Sequence, residues 1–284
     1  MRQKNLIREK DWDCLVVLDA CRYDIFERVY EEYISGSLKK VRSPGSDTPN
    51  WLSENFKDTE NFEDVVYVSS NPFVNSKGVV FVDGFDANEV FWKVMDVWDW
   101  KFNLEYMTVL PEVVRKAATL TKAKYPDKKM IIHFMQPHWP YLSREPLEEA
   151  YPNPFSEAVE EEKNKGILGR FSSELGRFGK TLFGKGNVEK LKKILGLSRT
   201  KPEEMFARKY GSQELKKAYE ENLRLALEEV VHLVDRIPED FVITSDHGEF
   251  LGENDYYSHL GWNDDDILRE VPWFNVRDCN DFEN

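Results

Sequence analysis

Three short apolar runs stand out along the chain, at residues 14–18, 130–134 and 241–244. Each run is bounded by polar residues, and each predicts a buried strand. Two further short strands are predicted within VVYVSSNPF and VPWFNV. The pattern therefore contains at least five strands, and most of them are apolar throughout rather than alternating.

Between these runs, hydrophobic residues recur at helical spacing. A long helix is predicted to end near Arg236, and LPEVVRKAATLTKAKY also has a helical pattern. Another helix is expected near Thr48, with Thr48 as its N-cap and Pro49 in its first position. Strands that alternate with helices predict an α/β sandwich around a mostly parallel sheet. The stripe of the long helix consists of Leu215, Tyr219, Leu223, Leu227, Val230, Val231 and Val234.

Composition and charge narrow the possible partners. The chain has 284 residues and a formal net charge of −13, which disfavours nonspecific nucleic-acid binding. Its three cysteines do not make a disulfide framework. The charged start, MRQKNLIREKDWD, does not resemble a signal peptide, and no apolar run is long enough to predict a membrane span. A soluble, cytoplasmic protein is therefore expected.

One segment departs from the acidic background. Residues 163–201 contain 11 lysines and arginines against two glutamates, a local charge of +9. Glycines and apolar residues interrupt the bases, so we predict an inserted helical cap at 143–210, with the catalytic domain at 1–142 and 211–284. Lys190, Lys192 and Lys193 would attract an anionic substrate, and the segment could also touch a membrane surface peripherally. The alternative is a solvated basic surface.

Acidic and imidazole side chains follow the predicted strands. Asp19 follows the first strand, and Asp246 and His247 follow the strand at 241–244. Ligands of open parallel sheets bind beyond the carboxyl ends of the strands, so these side chains are expected to converge. Mixed oxygen and nitrogen ligands suit Mn, Zn, Mg or Ca. We therefore predict one divalent metal ion, of unknown identity, although an aspartate at a strand end can also simply cap a helix.

Three more histidines lie in the same zones after the strands. His133 and His138 belong to the end of the strand at 130–134 and to the loop after it, and His259 comes twelve residues after His247. All three are predicted to contact the substrate. The remaining histidine, His232, lies off the apolar stripe of the long helix and is expected at the surface.

Four motifs, taken in order, resemble those of the alkaline phosphatase and sulfatase superfamily. They are VVLDACRYD, TPNWL, QPHWPY, and VITSDHGEFLGE followed by SHLG. SSNPFVN also looks like a sulfatase-like segment. The resemblance runs from about residue 13 to 276 and leaves 143–210 outside it. It implies an alkaline-phosphatase-like α/β/α fold and an enzyme that acts on phosphoric or sulfuric esters.

The resemblance also implies roles for individual residues. The metal ligands would be Asp19, Thr48, Asp246 and His247, with Thr48 as the nucleophile that forms a covalent ester. A second acceptor then cleaves that ester. His138 and His259 would contact the transferred group or the leaving oxygen.

Two differences between this sequence and the superfamily motifs indicate which activity to expect. Cys21 lies outside any C/S-x-P-x-R sequence, which the formylglycine sulfatases carry. Leu142 stands where a second metal site would need a ligand, so one metal is expected. One metal with a threonine nucleophile resembles the branch of lipoteichoic acid synthases and phosphoethanolamine transferases. Phosphodiesters are therefore the favoured substrates, within a class of anionic small-molecule, glycan or lipid esters.

Several alternatives stay open at this point. Ser43 or Ser46 could replace Thr48 as the nucleophile. The protein could hydrolyse sulfate esters, or it could be a degenerate member of the superfamily that binds a glycan or polar lipid.

Overall fold

A computed structural model of the protein describes residues 1–57, 62–145, 201–259 and 263–276. The chain forms a seven-stranded sheet and a separate two-stranded hairpin. The α/β class and the mostly parallel sheet are confirmed. The strands of the sheet are β1 (Cys14–Leu18), β2 (Gly36–Arg42), β3 (Val65–Ser69), β4 (Lys93–Asp96), β5 (Lys129–Phe134), β6 (Phe241–Ser245) and β9 (Glu270–Val276); β7 (Phe250–Leu251) and β8 (Tyr257–Ser258) form the hairpin.

The order of strands across the sheet is β2-β9-β6-β1-β5-β3-β4. The five strands from β6 to β4 are parallel, whereas β9 runs antiparallel to both β6 and β2. Strands β1, β3 and β6 are buried along their whole length, as their continuous apolar runs predict. Because β6, β1 and β5 are neighbours, their carboxyl ends lie side by side, and the loops that follow them meet.

Helices cover the sheet in two groups. Helix α6 packs against α8 and against β3 and β5, while α2 packs against α8 and β9, and α1 packs against α3. Among the described residues, no helix combines the length and apolar character needed to cross a bilayer. The helices are α1 (Gln3–Glu9), α2 (Tyr23–Val29), α3 (Thr48–Phe56), α4 (Ala87–Val90), α5 (Val97–Trp100), α6 (Pro111–Lys124), α7 (Pro202–Tyr210), α8 (Ser212–Val234) and α9 (Asp266–Arg269).

Helix α3 begins one residue earlier than the sequence suggested. Asp47, not Thr48, is the N-cap, and its carboxylate accepts a hydrogen bond from the backbone N–H of Asn50 at 2.8 Å. An aspartate caps a helix well because its oxygen satisfies one of the free N–H groups of the first turn. Thr48 is consequently the first residue of the helix, and its hydroxyl is available for other contacts.

The predicted cap at 143–210 falls mostly on residues 146–200, which lie outside the described residues, as do Lys190, Lys192 and Lys193. The end of that segment forms α7, which packs against α8 and β8. Phe206 of α7 makes edge contacts with Trp139 and Tyr141, with ring centroids 6.0 and 5.5 Å apart. Residues 202–210 are therefore packed onto α8, β8 and the loop after β5.

A buried glutamine in the first helix joins three parts of the fold. The Gln3 side chain is fully buried, and its amide nitrogen donates to the Thr244 hydroxyl at 2.8 Å and to the Ser245 carbonyl at 2.6 Å. Its amide oxygen accepts from the Trp51 indole N–H at 2.9 Å. Since Trp51 lies one turn after Thr48, Gln3 fixes α3 relative to the end of β6.

We predict that Gln3→Ala lowers the free energy of unfolding by about 1–3 kcal/mol, because it leaves buried partners unsatisfied. Urea unfolding followed by circular dichroism measures the change. Lys4→Ala, at the neighbouring and more exposed position, is the control and should change stability by less than about 0.5 kcal/mol. Equal effects of the two substitutions would show that the glutamine does not hold the elements together.

Candidate metal centre and active site

Three potential metal ligands meet where β1 and β6 end. They are Asp19, Asp246 and His247, which we call the first group; one potential ligand atom from each lies within 4.8 Å of the others. The Nε2 atom of His247 is 3.8 Å from Asp19 Oδ1 and 3.4 Å from Asp246 Oδ2. All three side chains are almost completely buried. The predicted convergence of these residues therefore occurs.

Thr48 extends the first group from the start of α3. Its hydroxyl donates a hydrogen bond to Asp246 Oδ2 at 2.7 Å, and its oxygen lies 3.5 Å from His247 Nε2. The first turn of a helix presents free N–H groups and the positive end of the helix dipole, which favour an anion. The threonine oxygen thus lies beside both the ligand atoms and a region suited to a negatively charged group.

The two carboxylates of the first group lie close enough for their negative charges to repel each other. Burial and the negative charge of Asp246 raise the pKa of Asp19 well above its ordinary value. Burial also acts to raise the pKa of Asp246, but His247, His133 and the Thr48 hydroxyl outweigh it, so that pKa is lowered. Two buried carboxylates this close favour a cation between them. This donor set of two carboxylates, one imidazole and one hydroxyl fits a divalent metal ion.

Backbone contacts fix the orientation of the first group. The Oδ1 atom of Asp246 accepts hydrogen bonds from the backbone N–H of Ala20 at 3.0 Å and of His247 at 2.9 Å. The Nδ1 atom of His247 lies 2.8 Å from the Gly248 carbonyl, which can only accept, so Nδ1 carries the proton. The lone pair of Nε2 therefore faces the two carboxylates, as a metal-ligating histidine requires.

Gly248 is required at its position by close packing rather than by its backbone angles. A Cβ atom there would lie 2.0 Å from the Ile267 carbonyl oxygen. The Gly248 N–H also donates to the Leu268 carbonyl at 2.8 Å. The loop after β6 is thereby pressed against α9, which holds His247 in place.

His133 lies beside the first group, at the end of β5, and is fully buried. Its Nδ1 is 2.8 Å from the Tyr67 hydroxyl, and its Nε2 is 3.7 Å from Asp19 Oδ2 and 4.0 Å from Asp246 Oδ2. Burial raises the pKa of Tyr67 well above its ordinary value, so the phenol keeps its proton and donates it to Nδ1. His133 Nε2, which has no hydrogen-bond partner among the described residues, then directs its N–H toward the carboxylates.

The sequence analysis missed one neighbour of Asp19. Asn71, in the loop after β3, donates from its amide to Asp19 Oδ2 at 2.9 Å. It belongs to SSNPFVN, the segment that looked sulfatase-like, but no role was predicted for it. A polar residue just after a buried strand was the signal that could have identified it.

The two histidines expected to act on the substrate lie together. We call His138, Glu249 and His259 the second group; one potential ligand atom from each lies within 4.8 Å of the others. Ring centroids are 5.1 Å apart between His138 and His259 and 4.2 Å apart between His247 and His259. The second group therefore borders the first.

A carboxylate that the sequence analysis did not single out, Glu249, lies beside these two histidines. Glu249 Oε1 is 3.0 Å from His259 Nδ1, and Glu249 Oε2 is 3.9 Å from His138 Nε2. The hairpin explains this proximity, because Phe250 of β7 pairs with Ser258 of β8 and so brings the adjacent Glu249 and His259 together. Sequence spacing alone did not reveal that pairing.

Burial changes the protonation of the second group. It raises the pKa of Glu249 to about 8, although His247 and Arg22 act in the opposite direction. Burial lowers the pKa of His138 to about 3 and also lowers that of His259. Burial therefore favours a protonated carboxyl on Glu249 and neutral imidazoles on His138 and His259.

A fourth buried acid comes from α7. Burial and the charge of Glu249 raise the pKa of Glu203 to about 8, and the charge of Glu203 in turn acts to raise the pKa of His259. Glu203 lies one turn before Phe206, on the buried face of α7. This end of the predicted cap thus adds an acidic group near the second group.

The remaining predicted residues have other contacts. The Ser43 hydroxyl donates to the backbone carbonyl of Asp246, and the Ser46 hydroxyl accepts from the Asn263 N–H at 3.0 Å. Cys21 is fully buried, and its backbone N–H donates to the Ser245 hydroxyl at 2.7 Å. These contacts are structural and favour Thr48 as the reactive hydroxyl.

Comparison with known proteins gives a match at the level of structure. No protein-family model matches the chain, and no curated protein matches it. The C-terminal periplasmic domain of phosphoethanolamine transferase EptC from Campylobacter jejuni superposes with a TM-score of 0.51 and 15% identity, over 94% of this chain and 79% of that one. The chain has the fold of the alkaline phosphatase and sulfatase superfamily.

Two other solved structures with this alkaline-phosphatase-like fold are more distant. The periplasmic domain of EptC from Escherichia coli, solved in complex with zinc, has a TM-score of 0.47 and 11% identity, with 93% of this chain and 71% of that chain covered. A 2-O GAG sulfatase has a TM-score of 0.43 and 9% identity, with coverages of 93% and 64%.

The comparisons contradict the expected cytoplasmic location. The phosphoethanolamine transferase structure from Campylobacter jejuni is a periplasmic domain. The charged N-terminal sequence on which that expectation rested therefore does not indicate where the protein acts.

We predict that the first group binds a divalent cation and that Asp19→Asn abolishes this binding. A cation supplied at about 100 times its dissociation constant should raise the free energy of unfolding of the chelator-treated protein by about 2.7 kcal/mol. Denaturant unfolding with and without Mn²⁺ or Zn²⁺ measures the difference. The control is Asp96→Asn, a buried aspartate whose carboxylate is bonded to Ser76 instead. Equal stabilisation of wild type and Asp19→Asn would contradict the assignment.

Proposed function

We propose that the protein is a metal-dependent hydrolase or transferase of phosphodiesters that acts through a covalent Thr48 intermediate. The observation that carries the proposal is the position of the Thr48 hydroxyl, 2.7 Å from Asp246 Oδ2 and 3.5 Å from His247 Nε2, in the first turn of α3. A hydroxyl in a ligand cluster at a helix N-terminus is suited to attack an anionic ester.

Asp19, Thr48, Asp246 and His247 would hold the metal ion. When bound there, a divalent cation would lower the pKa of the threonine hydroxyl and offset the negative charge of the ester. His133 and Asn71 support the ligands, since His133 Nε2 faces both carboxylates and Asn71 donates to Asp19. Such supporting contacts orient metal ligands and set their basicity.

The first chemical step transfers the phosphoryl group to the protein. Thr48 Oγ1 forms a bond to phosphorus while the bond from phosphorus to the leaving oxygen breaks. Asp246 Oδ2, which already accepts the hydrogen bond of the hydroxyl, takes the threonine proton. The leaving oxygen receives a proton from the second group, in which the protonated Glu249 and the adjacent His259 share hydrogen-bonding contact.

The second step releases the group from Thr48. A water molecule or an acceptor alcohol forms the new bond to phosphorus, and the bond to Thr48 Oγ1 breaks. The incoming hydroxyl gives its proton back to the second group, and Asp246 returns its proton to the threonine oxygen. Water as the acceptor gives hydrolysis, whereas an alcohol gives transfer.

We favour one metal per chain because only the first group brings two carboxylates together. The second group contains one carboxylate, and burial raises the pKa of that Glu249 carboxyl to about 8, which favours its neutral form at pH 7. A neutral second group suits a phosphodiester, which carries one negative charge, better than a monoester, which carries two. Two equivalents of tightly bound metal, reduced to one by His259→Ala, would contradict this part of the proposal.

We also propose a chemical class for the alcohol part of the substrate. The similar proteins are phosphoethanolamine transferases and a GAG sulfatase, so the partner we propose is an anionic lipid or glycan ester. We propose the same setting outside the cytoplasm as the periplasmic phosphoethanolamine transferase domains.

A panel of aryl esters tests the reaction class. Bis-p-nitrophenyl phosphate, p-nitrophenyl phosphate, a phosphonate monoester and p-nitrophenyl sulfate share one leaving group and differ in charge and central atom. With Mn²⁺ or Zn²⁺ added, kcat/KM should be highest for the diester. Preference for the sulfate would favour the sulfatase alternative, and no turnover of any ester would favour a binding protein.

We predict that Thr48→Ala lowers kcat for the diester by ~10⁴-fold or more, because the remaining catalytic groups act as a unit with the nucleophile. Thr48→Ser keeps the hydroxyl and should stay within about tenfold of wild type. Both variants should keep the fold, which circular dichroism checks. The assignment fails if Thr48→Ala retains near-normal rates while Ser46→Ala does not.

A further inference from the structure

The loop that carries His138 has few backbone N–H groups with which to form its own hydrogen bonds. It follows β5 and reads QPHWPY, and its two prolines, Pro137 and Pro140, have no backbone N–H to donate. The His138 N–H donates to the Asp19 carbonyl at 3.2 Å, which connects the loop to the end of β1. The carbonyl groups of the loop therefore need donors from elsewhere in the protein.

One side chain supplies hydrogen-bond donors for these loop carbonyls. Asn222, on α8, is fully buried, and its amide nitrogen lies 3.3, 3.1 and 3.0 Å from the carbonyl oxygens of Pro137, His138 and Pro140. Its amide oxygen accepts from the Leu142 N–H at 2.8 Å. All hydrogen bonds of this amide that the structure shows are thus made to the backbone on both sides of His138.

Asn222 interrupts the apolar face of a helix. Its neighbours one turn away on α8, Ala218 and Ala226, are buried and apolar, and so is the adjacent Leu223. Burying an amide is unfavourable unless it is hydrogen-bonded, whereas an aliphatic side chain would continue the stripe without that cost. The amide at this position is therefore best explained by the geometry that it imposes on the loop.

The loop geometry sets the direction of His138. The His138 Nδ1 lies 2.7 Å from the Trp139 carbonyl, so Nδ1 carries the proton and donates it. Its Nε2 then faces Glu249 Oε2 at 3.9 Å and belongs to the second group. A shift of the Pro137 or Pro140 carbonyl would rotate the Trp139 carbonyl and, with it, the imidazole.

We propose that Asn222 is a positioning residue that holds His138 in place, so that its Nε2 lone pair passes a proton from the Glu249 carboxyl to the leaving oxygen of the substrate. This inference rests on the proposed phosphodiester chemistry. It assigns to α8 a part in catalysis, although Asn222 does not itself reach the reacting atoms. Its effect should therefore appear only in the step that His138 assists.

Leaving groups of different basicity separate positioning from a structural role. p-Nitrophenolate is stable as an anion and departs without a proton, whereas an alkoxide needs one. Asn222→Ala should lower kcat/KM for a methyl p-nitrophenyl phosphodiester by less than about threefold and for a diester with an alkyl leaving group by about 10²-fold, within the range for acid–base assistance. A general loss of folded enzyme would lower both values equally.

A double-mutant cycle with His138 completes the experiment. In a His138→Ala background, Asn222→Ala should have no further effect on the alkyl diester, because residues that act through one another are non-additive. Leu223→Ala, at the adjacent buried position of α8, is the control for lost packing and should change both diesters by the same factor. Asn222→Ser keeps one hydroxyl donor in a smaller uncharged side chain, and serves if the alanine variant does not fold.

The outcomes distinguish the positioning role of Asn222 from the proposed phosphodiester chemistry. Equal losses for both leaving groups, or additive losses in the double variant, would overturn the positioning role while the wild-type enzyme still cleaves diesters. A wild-type protein that cleaves neither diester would overturn the proposed function and this inference with it. A selective loss on the alkyl diester that disappears in the His138→Ala background supports the proposal.

Discussion

The mutual repulsion of two buried carboxylates is the constraint on which the rest of the site depends. Asp19 and Asp246 follow the neighbouring strands β1 and β6, so the parallel sheet brings them together at the same edge. Bringing two such charges out of water is unfavourable unless a cation or hydrogen bonds compensate. The N–H of Ala20, the Asn71 amide, and the hydroxyl of Thr48 supply part of that compensation.

The site consists of two neighbouring groups with different electrostatics. The first group brings two carboxylates to the Thr48 oxygen, whereas in the second group burial raises the pKa of the single carboxyl, Glu249, beside His259. The close rings of His247 and His259 connect them. The phosphoryl transfer that we propose needs such an arrangement, in which a nucleophile lies in a cation-binding cluster next to groups that can hold a proton.

Sequence patterns predicted the elements whose residues are buried in a continuous run. Strands β1, β5 and β6 were identifiable because their apolar runs end abruptly in Asp19, in the loop before His138 and in Asp246. Strand β2 was missed because it is an edge strand and its residues are mostly exposed, which leaves no apolar run. Strand β4 was missed because it has only four residues.

Residues that act through tertiary contacts were harder to predict than those in motifs. Glu249 joins His138 and His259 only through the pairing of β7 with β8, which spacing does not encode. Gln3 and Asn222 bond to groups far away along the chain, and only Asn222, a polar residue on an apolar stripe, gave a visible signal. The cap at 143–210 was predicted from charge, and of that segment the structure describes only the ends.

An anomalous-diffraction experiment tests the central claim most directly. Crystals grown with Mn²⁺ should show one strong anomalous peak within about 2.0–2.6 Å of Asp19, Asp246, His247 and the Thr48 hydroxyl oxygen, since ligand bonds to divalent cations have these lengths. A strong peak at the second group with none at the first, or an Asp19 carboxylate turned away from the ion, would contradict the account.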